Sequence, residues 1–191
     1  MKNTLYFSTI VAVLLLANCQ PSAPAPAPSA PTVTQADQVK RGEYLVNISG
    51  CNDCHSPKKM GPNGPEIIAE RKLSGYPSDL PVPTFDTKMT SQGFAMFTPD
   101  LTAAYGPWGT SFAANLTPDE SGLGNWTLEQ FKKALTQGKS KGMDNGRMLL
   151  PPMPWVNYVG MKDEDISAMF AYFKSIPPVK NVVPAPVPPA G

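Results

Sequence analysis

The chain has 191 residues, of which 16 are Lys or Arg and 15 are Asp or Glu, so its formal net charge at neutral pH is +1. This length suffices for one domain with a hydrophobic core, and the balanced charge gives no indication of binding to nucleic acid or to an acidic substrate. The residues that carry chemistry are few: three cysteines (Cys19, Cys51 and Cys54) and a single histidine, His55.

The first segment, residues 1–18, is typical of a lipoprotein-type signal peptide. Lys2 precedes an apolar run from Leu5 to Ala17, which is too short to span a bilayer as a helix. The following LLANC resembles a bacterial lipoprotein box, although Asn18 stands where that box usually has Gly, Ala or Ser. We therefore expect export of the chain and lipidation of Cys19. Ordinary cleavage nearby and an uncleaved anchor are the alternatives.

Residues 19–34 form the next predicted unit, a lipidated cysteine followed by a tether rich in Pro and Ala. The 15 residues QPSAPAPAPSAPTVT have too few apolar side chains to fold, and as polyproline II they would extend over roughly 45 Å. By family analogy only, Gln20 after the lipid cysteine fits sorting to the outer membrane of a Gram-negative cell.

The folded part begins with a predicted helix over residues 36–49, followed by the motif C-x-x-C-H formed by Cys51, Cys54 and His55. A redox dithiol would need a strand before the pair, and a zinc site would need two more ligands, for which the mature chain offers only Cys19. Covalent attachment of haem c uses all three residues of the motif, with His55 as proximal iron ligand. Because the motif occurs once, we expect one haem.

Residues 60–125 are rich in Gly, Pro, Thr and Ser and keep no helical period. We expect this segment to wrap over one edge of the haem, with a short hairpin between Phe94 and Tyr105. The two TPD tripeptides, at 98–100 and 117–119, are typical of turns.

Two further helices are predicted beyond this segment. The second helix opens at Thr127, where Gln130 completes a capping box, and it ends at Gly138. The third runs from Asp163 to Ser175, with acidic residues in its first turn and a proline pair from Pro177 as its stop.

From Gly42 to Pro178 the chain resembles class I c-type cytochromes, especially the single-haem domains that serve as electron-carrying partners or subunits of periplasmic dehydrogenases and respiratory complexes. One departure is Tyr76, where similar sequences often have His. The stretches that carry the resemblance are RGEYLV, GCNDCHSPKKMGPNGPE, LSGYP, GPWGTSFAANLTPDESGLGNWTLEQFKKAL, LLPPMPW and DEDISAMFAYFKSIPPV.

The resemblance implies the class I cytochrome c fold. This fold is mainly α, with three main helices around one haem and here a long Gly/Pro-rich insertion between the haem motif and the second helix. The monohaem domain then covers residues 35–178, and residues 179–191 form a Pro-rich tail. Crossing of the first and last helices is also implied, with Gly42 and either Tyr44 or Leu45 meeting Phe170 and Phe173.

The same resemblance places the sixth iron ligand between the second and third helices. Of the methionines there, Met153 alone is flanked by prolines, which lowers the entropy lost in holding its sulfur at the iron. Met148 is the reserve candidate. Trp155 offers an apolar cover and an N–H group for a haem propionate. The family's acceptor for the proximal imidazole is a proline carbonyl soon after the motif, for which Pro65 is preferred to Pro62.

We therefore expect an electron carrier, not an enzyme, anchored by lipid on the periplasmic side of a bacterial membrane. Its expected partners are redox proteins: a donor dehydrogenase or complex and an acceptor oxidase or reductase. The alternative is a haem enzyme of the peroxidase or small-molecule oxidase type, or a gas sensor, with an open sixth position; the lack of a second histidine argues against it. A basic group either surrounds the haem edge for docking or is a solvated face. It comprises Lys58, Lys59, Lys132, Lys133, Lys139, Lys141 and Arg147.

Overall fold

Five α-helices are found in the computed structural model, which describes residues 33–189. They are α1 (Gln35–Ile48), α2 (Cys51–His55), α3 (Thr87–Ser91), α4 (Leu128–Gln137) and α5 (Asp163–Ser175). Three 3₁₀ turns, Ala69–Arg71, Ser140–Gly142 and Trp155–Tyr158, join them. Within residues 33–189, no helix has both the length and the apolar character that crossing a membrane requires.

The ends of the long helices follow their local sequence. Thr34 and Asp37 form a capping box at the start of α1, and Thr127 and Gln130 form the predicted one at the start of α4. Gly138 closes α4 in the left-handed conformation, with φ of 65°. The predicted bounds of all three long helices are therefore confirmed, with α1 beginning and ending one residue earlier than expected.

Helices α1 and α5 cross at a glycine. A Cβ atom at Gly42 would collide with the main-chain carbonyl of Ala168 and approach the Cβ of Tyr172, so only glycine allows this contact. The contact between α1 and α5 is as predicted. The atoms nearest to an added Cβ at Gly42 belong to Ala168 and Tyr172, and Leu45 and Phe173 lie in the same buried core. Tyr44 is exposed, since it lies on the outer face of α1.

The insertion contains two small antiparallel sheets, which the sequence alone did not resolve. One pairs β1 (Lys58–Gly61) with β2 (Gly64–Ile67). The other has the order β3 (Met96–Phe97), β4 (Ala103–Gly106) and β5 (Gly109–Phe112). The predicted hairpin is present as the β3–β4 pair, whereas β1, β2, β5 and α3 were not foreseen. The insertion therefore has secondary structure of its own, and is not only an irregular segment that wraps the domain.

The hydrophobic core lies among α1, α4 and α5 and two residues of the insertion, Leu73 and Leu123. Burying each large apolar side chain contributes about 1.5–3 kcal/mol. The buried members of the core are Leu45, Val46, Leu73, Leu123, Phe131, Leu135, Ile166, Ala168, Met169, Tyr172 and Phe173.

The segment after α5 packs back onto the domain. The Val179 amide donates to the Thr117 hydroxyl at 3.0 Å, and Thr110 and Val187 exchange two main-chain hydrogen bonds of 2.8 and 3.0 Å. Asn181 is buried between these points. Residues 179–189 thus pack against the domain, because prolines there prevent helix but leave the chain free to pair in extended form. The domain boundary at 178 stays a prediction.

Candidate haem site

The C-x-x-C-H motif forms a single helical turn. Gly50, in the left-handed conformation with φ of 69°, separates α1 from α2 and lets the chain begin a new turn at Cys51. The two thiols and the imidazole of His55 are thereby held on one five-residue helix. Both cysteines are half-buried and free, so neither is consumed in a disulfide.

The imidazole of His55 is held in one tautomer. Its Nδ1 lies 2.7 Å from the main-chain carbonyl oxygen of Ala114, which can only accept, so Nδ1 carries the proton and donates it. Burial lowers the pKa of His55, which favours the neutral ring. The lone pair is then on Nε2, the arrangement that a metal-ligating histidine needs.

The acceptor for this bond differs from the predicted one. Pro62 and Pro65 lie in and beside the β1–β2 hairpin, whereas Ala114 is 59 residues from His55 along the chain. Pro65 pairs with Met60 and lines a cavity of about 290 Å³ next to the motif. A main-chain carbonyl does orient the imidazole, as expected, but it comes from the segment after β5.

A short irregular segment, residues 73–76, fastens the motif to the Ala114 region. On one side, the Gly75 amide donates to the His55 carbonyl at 2.8 Å, and the Leu73 amide donates to the Ser56 hydroxyl at 2.9 Å. On the other side, the Tyr76 amide donates to the Ala113 carbonyl at 2.9 Å. We call residues 73–76 the proximal bridge, because it holds the motif and the acceptor loop together.

Tyr76 occupies a buried position in the proximal bridge. Its hydroxyl donates to the Pro81 carbonyl at 2.6 Å, and its ring lies against Phe112 with 4.8 Å between the ring centroids. These contacts satisfy the hydroxyl and bury the ring, so the residue packs the domain at a position where similar sequences often have His.

Burial favours the protonated form of both thiols of the motif. Burial raises the pKa of Cys51 to about 11, and burial also raises that of Cys54. A redox dithiol needs the opposite, a lowered pKa, and it usually follows a strand, whereas α2 follows a helix. Within residues 33–189, no three His, Cys, Asp or Glu side chains converge in a way that would hold a metal ion.

Met153, the predicted sixth ligand, lies in a loop that is fastened to the rest of the site. Met153 and Cys51 both pack against the same hydrophobic core. The Ser111 hydroxyl donates to the Pro151 carbonyl at 2.6 Å, which ties the loop to β5. These contacts fix the start of the loop and place the methionine and the motif around one core.

Tyr158 fixes the other end of the loop. Its hydroxyl donates to the Ser49 carbonyl at 3.1 Å, just before the motif. Burial raises the pKa of Tyr158, with smaller contributions from the nearby Cys51 and Cys54 thiols. Sequence reasoning missed both Tyr158 and Ser111, because each contact joins residues far apart in the chain and no local pattern marks it.

Trp155 covers the end of α4. A Cβ atom at Gly138 would lie 2.5 Å from Cε2 of its indole ring, so the glycine serves both the left-handed turn and this close approach. The half-buried ring packs against the end of α4, while its predicted roles as an apolar cover of the haem and as a donor to a propionate stay predictions. Met148, the reserve ligand, is 43% exposed and forms an isolated bridge with Lys139.

Three of the seven basic residues proposed to surround the haem edge are already engaged. Lys132 pairs with Asp163 at 2.8 Å and Lys133 with Asp144 at 2.7 Å. Lys58 is turned inward and bonds to main-chain carbonyls. The basic docking surface therefore stays a prediction for the other four residues, which are Lys59, Lys139, Lys141 and Arg147.

Comparison with known proteins agrees with this geometry. A family model described as cytochrome c matches residues 39–177, and the chain belongs to that family. A haem c site is accordingly implied, and the free cysteines, the fixed imidazole and the half-buried methionine fit that group.

Several curated relatives are cytochrome subunits of dehydrogenases. The gluconate 2-dehydrogenase cytochrome c subunit of Pantoea cypripedii is 32% identical over 136 residues, which cover 71% of this chain and 22% of the relative. The cytochrome c subunit of a quinone alcohol dehydrogenase from Gluconobacter oxydans is also 32% identical over 136 residues, 71% of this chain and 20% of the relative. The fructose dehydrogenase cytochrome subunit of Gluconobacter japonicus is 29% identical over 170 residues, which cover 86% of this chain and 26% of the relative.

These matches confirm the predicted resemblance to cytochromes associated with dehydrogenases. The matched region spans between a fifth and about a quarter of the length of these relatives.

Proposed function

We propose that this chain is a one-electron carrier with a single covalently bound haem c, coordinated by His55 and Met153. The bond between His55 Nδ1 and the Ala114 carbonyl is the observation that carries the proposal, because it directs Nε2 to a metal. When bound, haem c supplies an iron that cycles between ferrous and ferric states. The protein's part is to hold both ligands in place while the electron moves.

The arrangement of the two ligand segments supports a carrier. The proximal bridge fixes the His55 side, and the bonds of Ser111 and Tyr158 fix the Met153 loop. Rigid ligands on both sides keep the geometry the same in the two oxidation states, which favours electron transfer over bond chemistry. Cys51 and Cys54 have the free thiols that covalent attachment requires.

We further propose a dehydrogenase as electron donor and an oxidase or reductase as acceptor. The donor is inferred from relatives that are cytochrome subunits of gluconate, alcohol and fructose dehydrogenases. Cys19, the predicted site of lipidation, and the tether as far as residue 32 lie outside the described residues. They are the basis for proposing attachment at the periplasmic side of a membrane, with the outer membrane as one location.

Carbon monoxide distinguishes this proposal from a haem enzyme or gas sensor with an open sixth position. The absorption spectrum of the ferrous protein is recorded at neutral pH with and without carbon monoxide. We expect identical spectra, because the thioether of Met153 occupies the sixth position. A rapid spectral change on adding the gas would contradict the carrier proposal and favour the alternative.

A further inference from the structure

The side chain of Lys58 is enclosed by main-chain carbonyl groups. Its ammonium nitrogen lies 2.6 Å from the Asp53 oxygen, 2.9 Å from that of Ser56, 3.0 Å from that of Asp100 and 3.3 Å from that of Asn52. An ammonium group has three N–H donors, so these four acceptors satisfy it completely. The side chain is therefore held in one place instead of moving in solvent.

No carboxylate neutralises this charge at close range. In the part of the chain that the structure describes, the ion pairs within 4 Å do not include Lys58. Asp100 turns its carbonyl toward Lys58, while its carboxylate accepts hydrogen bonds from Thr98 and Thr102. The groups in direct contact with the positive charge are therefore main-chain carbonyls.

The charge lies beside the helix that carries the haem motif. Asn52 and Asp53 belong to α2, and Ser56 is its C-terminal cap, directly after His55. The ammonium thus lies at the carbonyl end of the helix that carries both cysteines and the proximal ligand, where a cation is favoured. Its bond to Asp100 also ties α2 to the turn between β3 and β4.

We propose that Lys58 raises the reduction potential of the haem by holding a fixed positive charge beside the proximal ligand. This inference rests on the proposed function. The ferric state carries one more positive charge than the ferrous state, so a nearby cation destabilises the ferric state. The charge of Lys58 acts on the iron electrostatically, from a position that the carbonyl groups of Asp53 and Ser56 fix.

The neighbouring Lys59 provides a matched control. The two residues are adjacent in β1 and have the same formal charge, but the Lys59 side chain is exposed and makes no hydrogen bond within the described residues. Solvent and salt screen an exposed charge far more than an enclosed one. Removing the charge at 58 and at 59 therefore separates a local effect from a change in net charge.

The test is a redox titration of the haem-loaded protein, followed by absorption, for Lys58→Met, Lys58→Gln, Lys58→Arg and Lys59→Gln. We expect Lys58→Met and Lys58→Gln to shift the ferric-to-ferrous equilibrium toward ferric by about tenfold, and Lys58→Arg to shift it much less. Lys59→Gln should remain within about twofold of wild type. The shift at position 58 should persist at high salt, because the enclosed charge is poorly screened.

Two results would overturn the inference. Wild-type potentials in both uncharged variants would show that the charge does not act on the haem. A wild-type potential in Lys58→Gln alone would show that hydrogen bonding, and not charge, is what matters, since Gln keeps N–H donors. If Lys58→Met fails to retain haem, the test is the difference in reduction potential between Lys58→Gln and Lys58→Arg. The carbon monoxide experiment tests the proposed function separately, on the wild type.

Discussion

The Tyr158 hydroxyl donates a hydrogen bond to the carbonyl oxygen of Ser49, 3.1 Å away, and so joins the Met153 loop to the residue before the motif. Removing the hydroxyl in Tyr158→Phe should destabilise the attached loop by about 1 kcal/mol. The equilibrium between detached and attached loop should therefore shift roughly fivefold toward the detached form. On heating, we expect the weak sulfur-to-iron band of the ferric variant to disappear at a lower temperature than in wild type. As the pH is raised, the band should disappear at a lower pH than in wild type. Absorption spectroscopy during heating and alkaline titration measures both midpoints.

Tyr44→Phe is the control for this prediction. Tyr44 lies on α1, is 58% exposed and makes no side-chain hydrogen bond within the described residues. The same chemical change there should leave both midpoints unaltered. Equal midpoints for Tyr158→Phe and wild type would mean that the bond to Ser49 does not hold the loop.

Replacing Met153 with Ala tests the sixth ligand directly. Loss of the thioether should abolish the sulfur-to-iron band in the ferric form and allow carbon monoxide to bind the ferrous form. Met148→Ala should retain the band and exclude the gas, because Met148 is more exposed and lies in an isolated bridge with Lys139. A band that survives in Met153→Ala and vanishes in Met148→Ala would assign the ligand to Met148.

The parts of the fold that the sequence predicts correctly are those set by neighbours in the chain. The capping box of Thr127 and Gln130 marks the start of α4 and the left-handed Gly138 marks its end, so each signal lies in the sequence beside the helix end that it sets. Strands β4 and β5 have four residues each and are largely buried, so neither shows an alternating pattern long enough to recognise.

In the candidate site, too, the features set by neighbouring residues are predictable from the sequence, and those set by distant residues are not. The residues of C-x-x-C-H are adjacent, and their chemistry is evident from spacing alone. The acceptor for His55 is a main-chain group, Ala114, whose side chain gives no indication of its role. Any residue type could supply that carbonyl, so only the fold identifies it. The same holds for Asn181, whose partners Ser74 and Tyr76 lie more than 100 residues away.

The close approach of α1 and α5 predicts a severe effect of Gly42→Ala. Because the added methyl group would meet a main-chain carbonyl, which cannot rotate away, the helices must separate. We expect a loss of about 3 kcal/mol in the free energy of unfolding, measured by urea denaturation followed by circular dichroism. Gly160→Ala serves as control, since no atom lies within 4 Å of its added Cβ. Similar free energies of unfolding for the two variants would show that the contact between α1 and α5 tolerates a methyl group at position 42.

Asn181 should be among the most sensitive positions outside the core. Its amide nitrogen donates to the carbonyls of Ser74 at 2.7 Å and Tyr76 at 2.8 Å, and its oxygen accepts from the Ser78 amide at 2.8 Å. Asn181→Ala leaves these three groups without partners in a buried site, at a cost of about 3 kcal/mol. The midpoint of urea unfolding should fall accordingly.

Asn157→Ala provides the comparison for Asn181. Asn157 is exposed and its side chain makes no hydrogen bond within residues 33–189. Its replacement should leave the unfolding midpoint nearly unchanged. If Asn181→Ala is as stable as Asn157→Ala, the segment after α5 contributes little to the domain.

Lipidation is tested at Cys19, which lies outside the described residues. Cys19→Ser should release a haem-loaded domain into the soluble fraction, while the wild type sediments with membranes, because two or more acyl chains anchor a protein stably. Fractionation with detection of covalent haem measures the distribution. Retention of the variant in the membrane fraction would point to an uncleaved anchor or to a partner that holds the domain.

The pairing of Thr110 with Val187 has a consequence for how copies of this chain behave toward one another. Strand β5 ends its sheet, and the outer main-chain groups of Thr110 are taken by the returning segment. At the other end, β3 has only two residues, so it offers little to a neighbouring strand. An open sheet edge is a template for association between chains. The returning segment therefore protects copies of this chain from associating edge to edge.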